Sequence, residues 1–371
     1  MSDEKKKPVH YDSFGVDKQD EFFKVPHIVK PGSHYSQGYL LHNNTLQARR
    51  FHRPNTANVQ EAKVGNFISL HILSRINQHV NAFSRFPTES RSAVAVAASG
   101  CDVEFAGSVG SDGAWLKGFL KTQGVGTDLM IVHEGQPSGR AIIQTTPDGE
   151  NAIFLFPGTN NVPYPTDPPA LRPYHTHLLL QNEVLLSDTV ETLRAAHRQG
   201  VVSIFNPSPM LSLEELRSFP WEKLSVLVVN YGEANTLLRA LSGQEMHDSD
   251  GITILGALVT LPELSGLSGV IVTLGANGAV ASFIVPNGRE TIRLPAAKIK
   301  VVDTTGAGDT FLGYLCGSLM RIPGSAWDLS QLKEALRTSI VAAGLSTQQP
   351  GAMSSIPLRA EVESQLTAYL N

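Results

Sequence analysis

From Ala93 to Thr347 short apolar runs alternate with longer segments in which apolar residues recur at helical spacing. Val103 to Val109, Leu129 to Val132, His177 to Gln181, Val201 to Asn206, Ser225 to Val229 and Val270 to Leu274 read as strands. Ala93 to Gly100, Trp115 to Gly124, Thr189 to Gln199 and Leu329 to Thr347 read as helices. Ser138 to Gln144 and Asn151 to Phe156 form a hairpin pattern around Pro147-Asp148-Gly149, and Ala279 to Val285 with Glu290 to Arg293 flank a turn at Pro286-Asn287-Gly288. This alternation predicts an α/β fold with an open, mostly parallel sheet between layers of helices, α/β/α, and the whole chain, 1–371, reads as one such domain.

The rhythm converges on Ile299 to Met320. Ile299, Val301 and Val302 make a β-branched run that reads as a strand; Thr305 to Gly308 is a loop of small residues; from Thr310, Phe311, Leu312, Leu315, Cys316, Leu319 and Met320 follow helical spacing. A Gly-Ala-Gly turn at a helix start lets backbone amides face an anion with no side chain between, and the helix dipole adds positive charge at the same spot. Asp309 is the odd member of such a cradle. A carboxylate there would repel the anion unless it has chemical work, and the work it suits is accepting a proton from a hydroxyl that attacks a phosphoryl group. The alternative from the same residues is that Asp309 is a helix N-cap and the glycines a tight turn.

The pattern fails between residues 33 and 92, where Asn, His, Gln, Arg and Ser dominate. Its one apolar piece, Phe67 to Ile76, reads as a short helix, and a strand is expected further upstream around Phe22 to Val25. Residues 33–92 are read either as an insertion that changes function or as sequence from outside the natural coding frame. The abrupt return of regular patterning at Ala93 favours the second, and low order is expected there.

Composition narrows the class. The chain has 371 residues, 42% hydrophobic and 17% charged, enough for a large core, and a formal charge of −4 gives no support for a nucleic-acid or membrane-surface partner. Two cysteines, Cys101 and Cys316, both in apolar segments, suit a reducing compartment. No apolar leader or span stands out, so a cytoplasmic protein is expected, with Lys5-Lys6-Lys7 open to reading as a nuclear address. No histidine spacing matches a zinc site.

The string Asp303-Thr304-Thr305-Gly306-Ala307-Gly308-Asp309-Thr310-Phe311 resembles the signature of the ribokinase-like, or PfkB, family of carbohydrate kinases. The resemblance implies that Asp309 is the catalytic base and Gly306, Ala307 and Gly308 the anion hole, and that the 136–157 hairpin is part of a small β lid over the sugar. Asn230-Tyr231-Gly232-Glu233 is similar to the family's Asn-x-x-Glu, placing Asn230 near the nucleotide phosphates and Glu233 on Mg²⁺ through water; helix starts often carry such pairs as caps. Thr273, Leu274 and Gly275, continuing through Ala276, Asn277 and Gly278, resemble the turn that holds ATP. Asp303 and Thr305, with Ser346, Gln349, Gly351 and Ser355, resemble the loops that bind a monovalent cation, K⁺. Glu183 and Asp20 fall where the family holds its sugar, although Lys18 replaces an expected Asn. The family's Gly-Gly-Lys-Gly-x-Asn sugar motif is absent, its place taken by Pro87 to Ser92. ATP and a small sugar are the implied substrates, ribose foremost, and lid-mediated homodimerisation is implied as well. Another sugar or nucleoside kinase would use the same residues, and loss of the glycine motif leaves open an inactive relative that still binds nucleotide.

Overall fold

The computed structural model describes residues 23–24, 63–67, 71–73, 87–145, 151–165, 171–246, 249–323 and 327–370. In chain order these form β1 (Phe23–Lys24), β2 (Lys63–Phe67), β3 (His71–Leu73), α1 (Pro87–Ala98), β4 (Val103–Gly110), α2 (Trp115–Thr122), β5 (Val125–His133), β6 (Gly139–Thr145) and β7 (Asn151–Phe156). There follow β8 (His177–Leu180), α3 (Leu186–Arg198), β9 (Val202–Phe205), α4 (Leu213–Ser218), β10 (Val226–Asn230), α5 (Tyr231–Ser242), α6 (Gly251–Thr260), β11 (Gly269–Thr273), β12 (Ala279–Val285), β13 (Gly288–Leu294), α7 (Ala307–Leu319), α8 (Leu329–Ser346) and α9 (Arg359–Leu370). The chain divides into two compact units, residues 1–66 with 140–156 and residues 67–139 with 157–371. In the smaller, β6 pairs antiparallel with β7 and parallel with β1 in a sheet that also takes in β2.

The larger unit is built on a nine-stranded sheet in the order β13-β12-β11-β10-β9-β8-β3-β4-β5. The steps β8 to β11 and the pair β4/β5 are parallel; only β3 and β12 run against the rest. Alternate residues of one strand feed opposite layers. Leu179, Ile204, Val226, Val228 and Ile271 join a core closed by α1, α2, α7 and α8, whereas Leu178, Leu180, Phe205, Leu227, Val229, Val270 and Val272 join one closed by α3 to α6. Both faces are covered, which explains why these strands read as unbroken apolar runs.

Two expectations are corrected. Within Phe67 to Ile76, His71–Leu73 is a strand, not a helix, pairing antiparallel with β8 through Leu73 and Leu178 and with β4 through Ile72 and Phe105; an apolar piece this short carries too few residues to declare a period. The run Ile299 to Val302 is an extended connector outside any sheet. Val301 and Val302 are 57% and 58% exposed, and the amides of Val302 and Asp303 donate to the Thr347 carbonyl at 2.7 and 3.1 Å at the end of α8. β-branched residues favour extended backbone whether or not a neighbouring strand exists.

Helices α1 and α7 lie side by side with their chains parallel and their contacts in register. A Cβ on Gly313 would come within 2.5 Å of the Ala95 Cβ and the Ser92 carbonyl, and one on Gly317 within 2.1 Å of the Ser99 hydroxyl. Four residues before the first of these tiers on both helices stands another, Arg91 beside Asp309. The helix spacing of i, i+4, i+8 on both partners therefore ties the head of α1 to the head of α7.

Gly313→Val is expected to cost about 1–3 kcal/mol or more by overpacking, read as a lower urea midpoint. Gly118→Ala is the control: nothing lies within 4 Å of that position in α2, so helix propensity should raise stability by about 0.5–1 kcal/mol.

Candidate active site

The carboxyl ends of β8 to β11 lie next to one another, the edge at which open α/β sheets place ligand-binding groups. Beyond β8 come Gln181, Asn182 and Glu183; beyond β9, Asn206; β10 ends on Asn230, which is in register with Thr273 at the end of β11. Helix α7 brings Asp309 to the same edge. Gln181 Nε2 donates to Asp309 Oδ1 at 3.3 Å and lies 3.4 Å from Asn206 Oδ1; Asn206 Nδ2 in turn donates to Glu233 Oε2 at 3.3 Å. One hydrogen-bonded chain thus links the residue at the head of α7 to the one at the head of α5.

Helix α7 begins on Gly306 in the left-handed region, φ 79°, and no side chain caps it. A Cβ there would meet the Ala352 carbonyl at 2.9 Å, so both conformation and space call for glycine. Gly308 is exposed, with nothing within 4 Å of a Cβ built on it. The Ala307 amide donates to the Thr304 carbonyl at 3.2 Å. The Gly308 and Asp309 amides, in the first helical turn, have no acceptor inside the helix and suit an anion.

Asp309 is not an N-cap; it sits three residues into the helix and only 6% exposed. Its Oδ2 is 3.7 Å from Arg91 Nη1. Burial pushes the carboxyl up to about 6, against the lowering influence of the Arg91 charge and of hydrogen bonds from Gln181, Arg91 and Ser92. A carboxylate of that basicity is charged at neutral pH yet a better proton acceptor than an ordinary one.

Asn230 and Glu233 make a reciprocal cap on α5. The Glu233 amide donates to Asn230 Oδ1 at 2.9 Å, and the Asn230 amide to Glu233 Oε2 at 2.8 Å. Burial raises the Glu233 carboxyl, with bonds from Asn230, Ser208 and Asn206 pulling the other way. Thr273 Oγ1 reaches the Val229 carbonyl at 3.5 Å. The turn after it is closed by Leu274 and Gly278, whose amide and carbonyl meet at 2.8 Å, and it exposes Gly275, Ala276 and Asn277. Gly278, φ 87°, is pressed on the backbone of Leu294 and Pro295, at 2.1 and 2.4 Å from a built Cβ.

Asp303 Oδ1 accepts the Thr305 amide at 2.9 Å and hydroxyl at 2.6 Å, and Oδ2 the Gly351 amide at 3.1 Å; the Ser355 hydroxyl donates to the Gly351 carbonyl at 2.5 Å. Burial works against its charge, but the Thr305 and Gly351 donors and the Arg91 charge together hold the Asp303 carboxyl below its ordinary value. These four residues form one oxygen-rich cluster. Ser346 instead spends its hydroxyl on the Ala343 carbonyl of its own helix at 2.8 Å, and Gln349 is exposed. Glu183 is half-buried at the end of β8, and Asp20 lies outside the described residues. Sequence reasoning missed Arg91, Ser92, Gln181 and Asn206. Gln181 and Asn206 had a signal, as polar residues closing apolar strands; Arg91 had none apart from standing where a glycine motif was expected.

Residues 91–359 match the family described as pfkB family carbohydrate kinase. The chain belongs to that family. It is 31% identical over 276 residues to a ribokinase of Schizosaccharomyces pombe, covering 72% of this chain and 81% of that one. Identity to a bifunctional ribokinase/ribose-5-phosphate isomerase A of Fructilactobacillus sanfranciscensis is 33% over 274 residues, 72% of this chain but 47% of that longer protein. The crystal structure of ribokinase from Cryptococcus neoformans var. grubii serotype A in complex with ADP superposes with a TM-score of 0.69 at 34% identity, covering 93% of this chain and 96% of that one.

The buried charge has a cost in stability that this pfkB-family chain should reveal. In the unfolded state the Asp309 carboxyl titrates near 3.8, and in the folded state near 6. The folded state therefore binds that proton more tightly; the ionised group destabilises it above about pH 6, and the cost disappears below 3.8. Asp309→Asn is expected to raise the unfolding free energy at pH 7.5 by about 1–3 kcal/mol, with the difference from wild type closing as urea titrations are repeated towards pH 4.

Proposed function

We propose that this pfkB-family kinase is a ribokinase, transferring the γ-phosphoryl group of ATP to ribose to give ribose 5-phosphate. The observation that carries the reading is Asp309, buried behind the uncapped, glycine-led start of α7 and linked along the strand ends to Asn230 and Glu233. Asp309 accepts the proton of the attacking hydroxyl as the bond to phosphorus forms. Amides of the Gly306 to Gly308 loop and first turn face the charge on the transferred group, donors fixed before the reaction begins. Glu183 accepts hydrogen bonds from the sugar hydroxyls. Asn230 lies towards the phosphates, and Thr273 to Gly278 hold the nucleotide.

The residues present fit both implied metal ions. Glu233 is a half-buried carboxylate whose Oε2 already takes two donors, which suits contact with Mg²⁺ through water rather than direct ligation. Asp303, Thr305, Gly351 and Ser355 offer carboxylate, hydroxyl and carbonyl oxygens, the hard donor set of K⁺, directly behind Gly306. Bound there, a monovalent cation would supply positive charge behind the anion loop. A homodimer through the 136–157 hairpin belongs to the same reading.

Purified protein with Mg-ATP and K⁺ should release ADP with ribose and not with hexoses or nucleosides, and Asp309→Asn should lower that rate by about 10²- to 10⁴-fold. Turnover on nucleosides alone would move the chain to another member of the family. A folded protein that binds ATP and is silent with every acceptor would sink the activity. Exchanging K⁺ for a bulky organic cation should slow the wild type several-fold and leave Asp303→Asn unchanged; equal slowing of both would remove the cation from this loop.

A further inference from the structure

The family motif that fronts α1 elsewhere is absent here, and the residue that stands next to the base is an arginine. Arg91 lies in the first half of α1, and its Nη1 is 3.7 Å from Asp309 Oδ2, both side chains largely buried at 18% and 8% exposure. The approach follows from the helix register: the Ala95/Gly313 and Ser99/Gly317 contacts leave the Arg91/Asp309 tier no freedom to slide. The carboxylate is thereby held from two sides, Oδ1 by the Gln181 amide and Oδ2 by the guanidinium. Ser92 supports the first hold, its hydroxyl lying 3.5 Å from Gln181 Oε1 and fixing which end of that amide faces Asp309.

We infer that Arg91 is the positioning residue of Asp309, holding the buried carboxylate ionised and in one orientation. The inference rests on the reading of Asp309 as the base but deepens it, because it assigns the base a counter-charge that the sequence resemblance does not supply. Other groups facing this point cannot replace it. Gln181 at the end of β8 and Ser92 on α1 are uncharged, and the last two turns of α8, which end beside the loop before α7, carry no titratable side chain from Ile340 to Ser346. Asp303, in the loop before α7, is a carboxylate that itself feels the Arg91 charge, and Glu233, reached through Asn206, is another. Among the described residues Arg91 is the one cation in this set. Without it Asp309 would face burial with only the uncharged Gln181 amide and Ser92 hydroxyl beside it.

The test is a titration of Asp309 itself. Protein labelled with carboxyl-¹³C aspartate is followed by NMR against pH, and the Asp309 resonance is the one lost in Asp309→Asn. In wild type the midpoint should lie near 6. In Arg91→Met, which keeps length and removes charge, it should rise by about one unit or more, and Arg91→Lys should bring most of that shift back. The acid limb of kcat/KM for ribose should move by the same amount in each variant, so that Arg91→Met loses about fivefold or more near pH 6 and much less near pH 9. Arg91→Gln replaces Arg91→Met if the latter does not fold. A midpoint that stays within 0.3 units of wild type in the uncharged variant overturns the inference, as does an activity loss equal at all pH values. A protein silent towards every sugar whose Asp309 midpoint still moves with Arg91 would fail the ribokinase reading and keep this one.

Discussion

Everything at the catalytic edge depends on two helices that cannot slide. α1 and α7 run parallel and touch at every fourth residue, and at two of those tiers the α7 residue is glycine because a neighbour fills the space of a side chain. Close backbone approach of this kind makes the register discrete: a shift by one turn would drive Gly313 and Gly317 away from the small residues that fit them. The chemistry inherits that rigidity. A carboxylate at the head of one helix and a guanidinium near the head of the other are held together by packing several ångströms below them. Two helix N-termini side by side also set a field favourable to anions.

The edge holds two carboxylates, Asp309 and Glu233, that burial pushes above their ordinary values. Placing both there is unfavourable, and the molecule limits the penalty with an amide at each and with the Arg91 charge at Asp309. Gln181 and Asn206 stand between the two acids and donate to one each. An amide with a donor and an acceptor end relays orientation without adding a charge that would neutralise a group needed ionised. Burial separates Asp303, half-buried and held below its ordinary value by three donors and the Arg91 charge, from Asp309, where burial outweighs the Arg91 charge and a similar set of hydrogen bonds. One acid is settled as an anion; the other remains able to take up a proton.

The architecture was largely legible because parallel strands covered on both faces must be apolar, as Leu178 to Leu180, Ile204 to Phe205, Val226 to Val229 and Val270 to Val272 are. The glycine turn and the helix start that carries Asp309 were legible because small residues running directly into helical apolar spacing mark a turn before a helix. Failures fell where the physical cause is not local. Val301 and Val302 have strand-like side chains but no strand neighbour, and His71–Leu73 is a strand only because β4 and β8 leave a place between them. Arg91 was invisible for the same reason: its role exists only through α7, more than two hundred residues away in the chain. The Asn230 and Glu233 pair shows the converse, a local cap whose geometry is complete without a ligand and which still stands on the functional edge.

Helices α5, α6 and α8 start with Asn230, Asp250 and Asp328 folded back on their first amides, whereas α7 starts on a bare glycine. A side-chain cap is worth about 1 kcal/mol to a helix. The helix that carries Asp309 has forgone it, and an oxyanion docked on those amides would complete the helix as well as bind to it. Substrate affinity and helix integrity then become the same free energy seen from two sides. Occupancy by a phosphate should tighten α7 along its length, and through the α1 contacts the far side of the domain, so that the folded state of this protein is most fully formed while it is at work.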